Sequence, residues 1–496
     1  MRTGLAVVLT VLTVSGLAAQ SVPADYVRSF FGAVHVDAER MRFAGPAGAT
    51  WSRLGVQWPR HEPERDVYTF EDYDRTVAAA RRHGVRLLPV LAQTPEWASG
   101  APAGAAMRHR YPAAESELDE WREYVATVVD RYPDVEYWEI WNEPNIDWFL
   151  RADANHREYV DRILIPAAEV IHAHGRKVVA PSYTLEWPLD VWPLKERPAR
   201  HSYNVASAIR DVDRWLAYHD AWRHIDILSV HYSKGDTEKP MLPFGENMMP
   251  FYDHVHERWI ATGRLDGIWN TEEGLTAEEA GNAGFVALEP WEKEPYAQWV
   301  ARYFVPVLHW AIGHDWTAPD RYKVFWYHMK HGPSGKGALT PTNLLERVGE
   351  EVRLSETGRA MGTLARLLTE GRSRVGLYDG PVEVGLGLFP TDTAAANYFA
   401  PYRFRSYAFR LDDDVLVAAW LDLPGIELVD PTVSTIEAAV HGLAQTEDLR
   451  VSVVHYVDGT EMPVTDLAWA ADGTLRIFVP RIADPVLYLK VEGAAR

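Results

Sequence analysis

Val135-Glu136-Tyr137-Trp138-Glu139-Ile140-Trp141-Asn142-Glu143-Pro144-Asn145 starts as a β-strand and ends as a loop. Aromatic and β-branched residues carry the run as far as Trp141, which suits a pleated surface. Pro144 has no amide hydrogen and cannot extend the ladder. The polar pair Asn142-Glu143 therefore falls where strand gives way to loop. Similar runs flank this one on both sides, at Phe30–Val36, Trp51–Val56, Val85–Leu91, Lys177–Ala180, Ile225–Val230, Gly267–Thr271 and Lys323–Trp326. Helix-like stretches separate them: Phe70–His83, Glu115–Arg131, His156–His174, Asn204–His219, Phe251–Thr262 and Pro295–Ile312, with Ser355–Thr369 after the last strand. Alternating strand and helix implies a parallel sheet, and eight such strands predict a closed (β/α)8 TIM barrel. His83-Gly84 and His174-Gly175, each just ahead of a strand, repeat the glycine stop of a helix.

After about Glu370 the texture becomes alternating and β-rich, as in Val415–Trp420, Val451–Tyr456, Leu475–Val479 and Val486–Val491, with turns at Asp458-Gly459 and Asp472-Gly473. These features predict a signal peptide over 1–19, a catalytic barrel over 24–370 and a β-sandwich over 371–496. No Pro/Ser/Gly-rich linker joins the last two, so the sandwich is expected to pack rigidly on the barrel.

Met1-Arg2, an apolar run from Leu5 to Leu17 and the small residues Gly16, Ala18 and Ala19 form the signal-peptide pattern. The run is shorter than the ~20 residues a membrane span requires. The expected location is thus secreted or periplasmic, without a membrane span. With 496 residues and 47% hydrophobic content, the chain can bury a large core. Its net charge of -20 argues against nucleic acid as a partner. The absence of cysteine excludes disulfides, thiolate nucleophiles and Cys-bound metals. Twenty tryptophans exceed what a barrel core needs and fit a groove that stacks sugar rings.

In a parallel barrel, polar groups at strand C-terminal ends line the mouth. Glu143 ends the fourth strand and should face that mouth among apolar neighbours, where burial raises a carboxyl toward general-acid use. Ile268-Trp269-Asn270-Thr271-Glu272-Glu273-Gly274 ends the seventh strand in carboxylates. Two carboxylates facing across a pocket suit glycosidic cleavage, one protonating the leaving oxygen and one attacking the anomeric carbon.

Trp141-Asn142-Glu143-Pro144 resembles the Asn-Glu-Pro signature of glycoside hydrolase clan A, and Thr271-Glu272-Glu273-Gly274 resembles its Thr-Glu-x-Gly strand. The resemblance implies Glu143 as acid/base and Glu272, rather than Glu273, as nucleophile. It extends in order to Trp51-Ser52-Arg53, Val230-His231-Tyr232, Phe325-Trp326-Tyr327 and Thr94-Pro95-Glu96-Trp97, and to the Trp58–Asp74 segment, which is similar to families 5 and 39. By that resemblance Arg53 sits near the nucleophile, Tyr232 bonds it, His231 lines the pocket, Trp326 floors the subsite beside the cut, and Asn142 holds the sugar 2-hydroxyl. Trp97 is a candidate cleft aromatic, as are Trp58, Trp148, Trp187 and Trp291. Strand three departs by ending at Gln93, where some clan families carry a histidine. The implied function is retaining hydrolysis of β-glycosidic bonds in a carbohydrate substrate, with no cofactor and no metal. A transglycosylase and a non-catalytic sugar-binding protein on the same scaffold are the alternatives. The pairs His172/His174 and His254/His256 read as structural, because i and i+2 diverge on a helix.

Overall fold

The computed structural model describes residues 20–146, 148–151, 155–185, 205–232, 249–274, 297–330, 343–386, 404–421, 435–480 and 486–494. The expected signal peptide, Trp187, Trp291 and the acidic insertion from Leu275 to Trp291 lie outside these residues.

Eight parallel strands close into a barrel: β1 (Phe31–Val34), β2 (Trp51–Gln57), β3 (Arg86–Ala92), β4 (Tyr137–Ile140), β5 (Lys177–Thr184), β6 (Ile227–Tyr232), β7 (Gly267–Glu273) and β8 (Tyr322–Trp326), with β8 paired back to β1. All eight expected strands are there, with shifted ends. The helices between them carry their own stop signals. Glu71–His83 has Glu71, Asp72 and Asp74 in its first turn and Arg81, Arg82 and His83 in its last, matching the helix dipole. Gly84, at φ 65°, ends it.

Period-two alternation fixes what points where. One residue from each strand (Val34, Trp51, Leu88, Tyr137, Val179, Ile227, Trp269 and Phe325) fills the barrel interior. Phe325 takes the space beside Gly32, where a Cβ would lie 2.4 Å from its ring. The alternate residues, Trp138, Val178, Leu228 and Ile268 among them, face the helices in a second, larger core. Above the interior layer, toward the strand C-termini, inward positions switch from apolar to polar. Arg53, Glu139, Ser229, His231 and Thr271 occupy them, all buried.

Among the described residues a two-stranded hairpin, Leu345–Val348 with Glu351–Leu354, and two larger antiparallel sheets follow the barrel. Of the larger two, one has seven described strands and the other four. They enclose a core that includes Val417, Val453, Leu475, Ile477 and Leu489. A short strand, Ser21–Pro23, pairs with Arg374–Leu377 at the edge of the larger sheet, so the chain adds a strand to the sandwich before it enters the barrel. Much of the outer face of that sheet packs against the barrel helices. Phe409, Leu416, Trp420 and Tyr488 belong to the same buried cluster as the barrel helices. His309 of helix Gln298–Ile312 packs edge-on against Tyr407 and Phe409, with ring centroids at 5.3 and 5.7 Å.

Candidate active site

The backbone at the barrel mouth is bent out of its usual range. His35, Gln93, Trp141, Glu143 and Ser182, all at or near the C-terminal ends of β1, β3, β4 and β5, have φ between 41° and 71°. Such left-handed conformations cost non-glycine residues on the order of 1–3 kcal/mol each and concentrate at functional sites.

Arg53 organises what they surround. Its Nε ion-pairs with Glu139 Oε2 and its Nη1 with Glu272 Oε1. Its Nη2 donates to Asn142 Oδ1 at 2.8 Å. One buried guanidinium thus ties β2 to β4, β7 and the loop bearing Glu143. Neighbouring Asn145 is also locked, exchanging hydrogen bonds of 2.9 and 3.2 Å with the backbone of Thr184 on β5.

Glu143 and Glu272 meet. An oxygen of each, with a ring nitrogen of His231, lie within 4.8 Å of one another. His231 Nδ1 is 2.9 Å from Glu143 Oε1 and 3.7 Å from Glu272 Oε2. Its Nε2 is 3.1 Å from Thr271 Oγ1, and that hydroxyl donates to Glu139 Oε1 at 2.8 Å. Burial, with the Arg53 charge added, holds the His231 imidazole well below the ordinary histidine range, which favours its neutral form. Burial pushes the Glu272 carboxyl up, against the opposing pull of Arg53.

The choice between Glu272 and Glu273 turns on a bulge. Strict alternation from Trp269 would send Thr271 and Glu273 inward. The ladder instead slips, pairing Asn270 with Val324 but Glu273 with Trp326, so β7 holds one extra residue. Both Thr271 and Glu272 then face the mouth. Glu273 is fully buried and takes a hydrogen bond from Asn270.

One expected substrate contact, Trp326, is placed elsewhere. Lys323 and Phe325 point inward, so alternation sends Trp326 outward, where its ring packs on Tyr303 and Phe304 at 5.8 and 6.3 Å. The inward residue at the end of β8 is Tyr327, 5.6 Å from the His35 ring at the mouth. Trp97 is held edge-on by Trp58 at 5.6 Å, with the Arg65 guanidinium 4.6 Å over its ring. Those contacts tie it to the packing of the loops after β2 and β3. Trp58 is fully buried. Trp148, in the loop after Glu143, is 60% exposed, with Arg110 at 4.3 Å over its ring. The Tyr232 side chain lies outside the described residues.

His35, His328 and Lys330 complete the wall between β1 and β8. Burial and the nearby cations push His35 down to about 2 and His328 to about 4. Lys330 is half-buried, and its charge reaches Glu272. Glu139 and Thr271 were not anticipated from the sequence, although Glu139 shares the inward register of Tyr137 and lies two residues on from it.

Glu143, His231 and Glu272 are close enough together to bridge a cation. However, the Arg53 guanidinium already occupies Glu272 Oε1, and its charge opposes a metal there. The carboxylates of Glu62, Asp66 and Glu120 also converge. There, Glu62 is engaged by Trp58 Nε1 at 2.7 Å and Asp66 N at 2.9 Å, while Glu120 pairs with Arg65. His172 and His254 bond separate aspartates, Asp226 and Asp213, at 2.9 and 3.0 Å.

No family model matches the sequence, and no curated protein does. The fold is shared with solved structures of low identity. A family 39 glycoside hydrolase from Bacteroides cellulosilyticus WH2 superimposes with a TM-score of 0.59 at 16% identity, over 94% of this chain and 82% of that one. A monomeric beta-xylosidase from Caulobacter crescentus CB15 gives 0.56 at 15%, over 97% and 99%. A GH39 enzyme from Xanthomonas axonopodis pv. citri gives 0.57 at 15%, over 96% of each. This likeness extends to the sandwich as well as the barrel.

Proposed function

We propose that this chain is a retaining glycoside hydrolase that cleaves β-glycosidic bonds of a poly- or oligosaccharide by double displacement. The observation that carries the proposal is the convergence of Glu143 and Glu272 oxygens to within 4.8 Å. That spacing suits direct attack on carbon. An inverting pair stands about 6.5–9.5 Å apart, to admit a water molecule.

In the first step Glu272, ion-paired with Arg53, attacks the anomeric carbon while Glu143 gives its proton to the departing glycosidic oxygen. A glycosyl ester forms on Glu272, and the aglycone leaves as an alcohol. In the second step Glu143 removes a proton from water, the hydroxide attacks the same carbon, and Glu272 is released as carboxylate. Two inversions restore the β configuration. Asn142, held by Arg53 Nη2, bonds the sugar 2-hydroxyl in this reading. Tyr327 offers an aromatic face to the sugar at the bond cut. No metal or organic cofactor enters either step. The N-terminal pattern supports export to the periplasm or the outside.

The test is a screen of aryl β-glycosides, followed by proton NMR of the first sugar released. β-Xylosides belong in the screen because one fold neighbour is a beta-xylosidase. A first-formed β anomer supports the proposal. A first-formed α anomer, or no glycoside cleaved, ends it.

A further inference from the structure

Between Glu143 and the Arg53 ion pair runs an unbroken chain of polar atoms that the double displacement does not itself require: Glu143 Oε1, His231 Nδ1, His231 Nε2, Thr271 Oγ1 and Glu139 Oε1, at successive distances of 2.9, 3.1 and 2.8 Å. We propose that Thr271 and Glu139 are positioning residues that fix the tautomer of His231 and thereby keep the catalytic proton on Glu143. This inference rests on the glycosidase reading for its purpose, but not for its geometry.

The direction of each hydrogen bond follows from the donor inventory. Glu139, ion-paired with Arg53, can only accept, so the single hydrogen of the Thr271 hydroxyl points to it. Thr271 Oγ1 must then accept from His231, which places hydrogen on Nε2. A neutral imidazole carries one N–H, so Nδ1 presents a lone pair to Glu143. A bond at 2.9 Å between that lone pair and Glu143 Oε1 requires the hydrogen to sit on the carboxyl. The charged groups that face His231 come from other elements, and they pull in opposite directions: the Glu143 and Glu272 carboxylates favour an imidazolium, while burial and Arg53 oppose it. Glu143 follows β4, Glu272 stands 3.7 Å from Nδ1 on β7, and Arg53 of β2 disfavours an imidazolium.

The arrangement serves both halves of the reaction. Before cleavage, Glu143 holds the proton the leaving oxygen needs. After delivering it, the carboxylate faces the Nδ1 lone pair, an unfavourable contact that is relieved when it takes a proton from water. Arg53 anchors the far end of the chain and also holds the nucleophile, so one side chain sets the position of both carboxylates.

Nitrogen-15 long-range correlation NMR of the wild-type protein, with the His231 signals identified by comparison with His231→Asn, reads the tautomer without any substrate. The expected result is the Nε2–H form from pH 6 to 8. An Nδ1–H form or an imidazolium overturns the proposal. The kinetic arm compares kcat/KM for phenyl and 2,4-dinitrophenyl glycosides, because the second leaving group departs without a proton. Thr271→Val should lose about ten- to a hundredfold on phenyl glycosides and little on dinitrophenyl glycosides. The alkaline limb of its pH profile should move to lower pH, and Thr271→Ser should restore both. Equal losses on the two substrates would reduce Thr271 to a structural role and overturn the proposal. A wild-type protein that cleaves no glycoside would refute the glycosidase reading, and the tautomer measurement would still decide this inference.

Discussion

Arg53 binds Glu139 through Nε and Glu272 through Nη1, so one buried cation answers two carboxylates on strands three apart in the barrel. Removing a partner from a buried ion pair typically costs about 3–5 kcal/mol, because the remaining charge is stranded away from water. Arg53→Met should lower stability by roughly that amount, measured by chemical denaturation. It should also abolish glycoside cleavage in the fraction that stays folded. A variant with near wild-type stability and activity would show that Glu139 and Glu272 do not depend on it.

Glu143→Ala and Glu272→Ala should differ in the product formed when azide is added. Without the acid/base, azide attacks the glycosyl-enzyme and gives a β-glycosyl azide. Without the nucleophile, azide enters from the opposite face and gives the α product. Loss of general acid catalysis should cost roughly 10²–10⁴-fold on substrates with poor leaving groups. Chromatography and NMR of the azide adducts separate the two cases, and identical adducts from both variants would contradict the assigned roles.

Trp326 and Tyr327 are adjacent but face opposite ways. Trp326→Ala should act on stability, by about 3–5 kcal/mol, since it empties a site packed against Tyr303 and Phe304. Tyr327→Ala should raise KM several-fold with a smaller change in melting temperature. A reversal of these effects would return Trp326 to the pocket.

His309 gives the seam between barrel and sandwich a pH dependence. Burial against Tyr407 and Phe409 pushes its imidazole down to about 4. The unfolded chain takes up this proton at ordinary histidine pH, so stability falls as the pH drops from about 6.5 to about 4 and is flat outside that window. The loss assigned to this group over the whole window is roughly 3 kcal/mol. Urea denaturation at pH 7 and pH 4.5 should show a smaller difference for His309→Leu than for the wild type. Other histidines that burial lowers, His35, His61, His231 and His328 among them, contribute to what remains.

The barrel was legible because its signals are local and repeated. Tyr137 and Trp138 alternate inside and out, and glycines such as Gly84 stop helices where the sequence places them. Glu143 was legible because it stands at a strand end beside a proline. The bulge at Thr271 was not, since an extra residue leaves no mark in composition. The motif selected Glu272, whereas strict alternation from Trp269 would have selected Glu273. Trp326 was misplaced for the opposite reason. The motif drew attention to it, while the inward register of Lys323 and Phe325 pointed to Tyr327. Glu139 went unnoticed because a carboxylate inside a strand acquires meaning only once Arg53, distant in sequence, is seen against it.

The central claim is that Glu272 becomes covalently attached to the sugar while Glu143 stands across from it. A 2-deoxy-2-fluoro glycoside with a good leaving group, matched to whichever sugar the aryl-glycoside screen selects, slows release of that intermediate enough to isolate it. Mass spectrometry of the labelled peptides should place the fluorosugar on Glu272, in a peptide containing Asn270-Thr271-Glu272-Glu273. An adduct on Glu273, Glu139 or Glu143, or cleavage of the glycoside with no covalent species at all, would contradict the account.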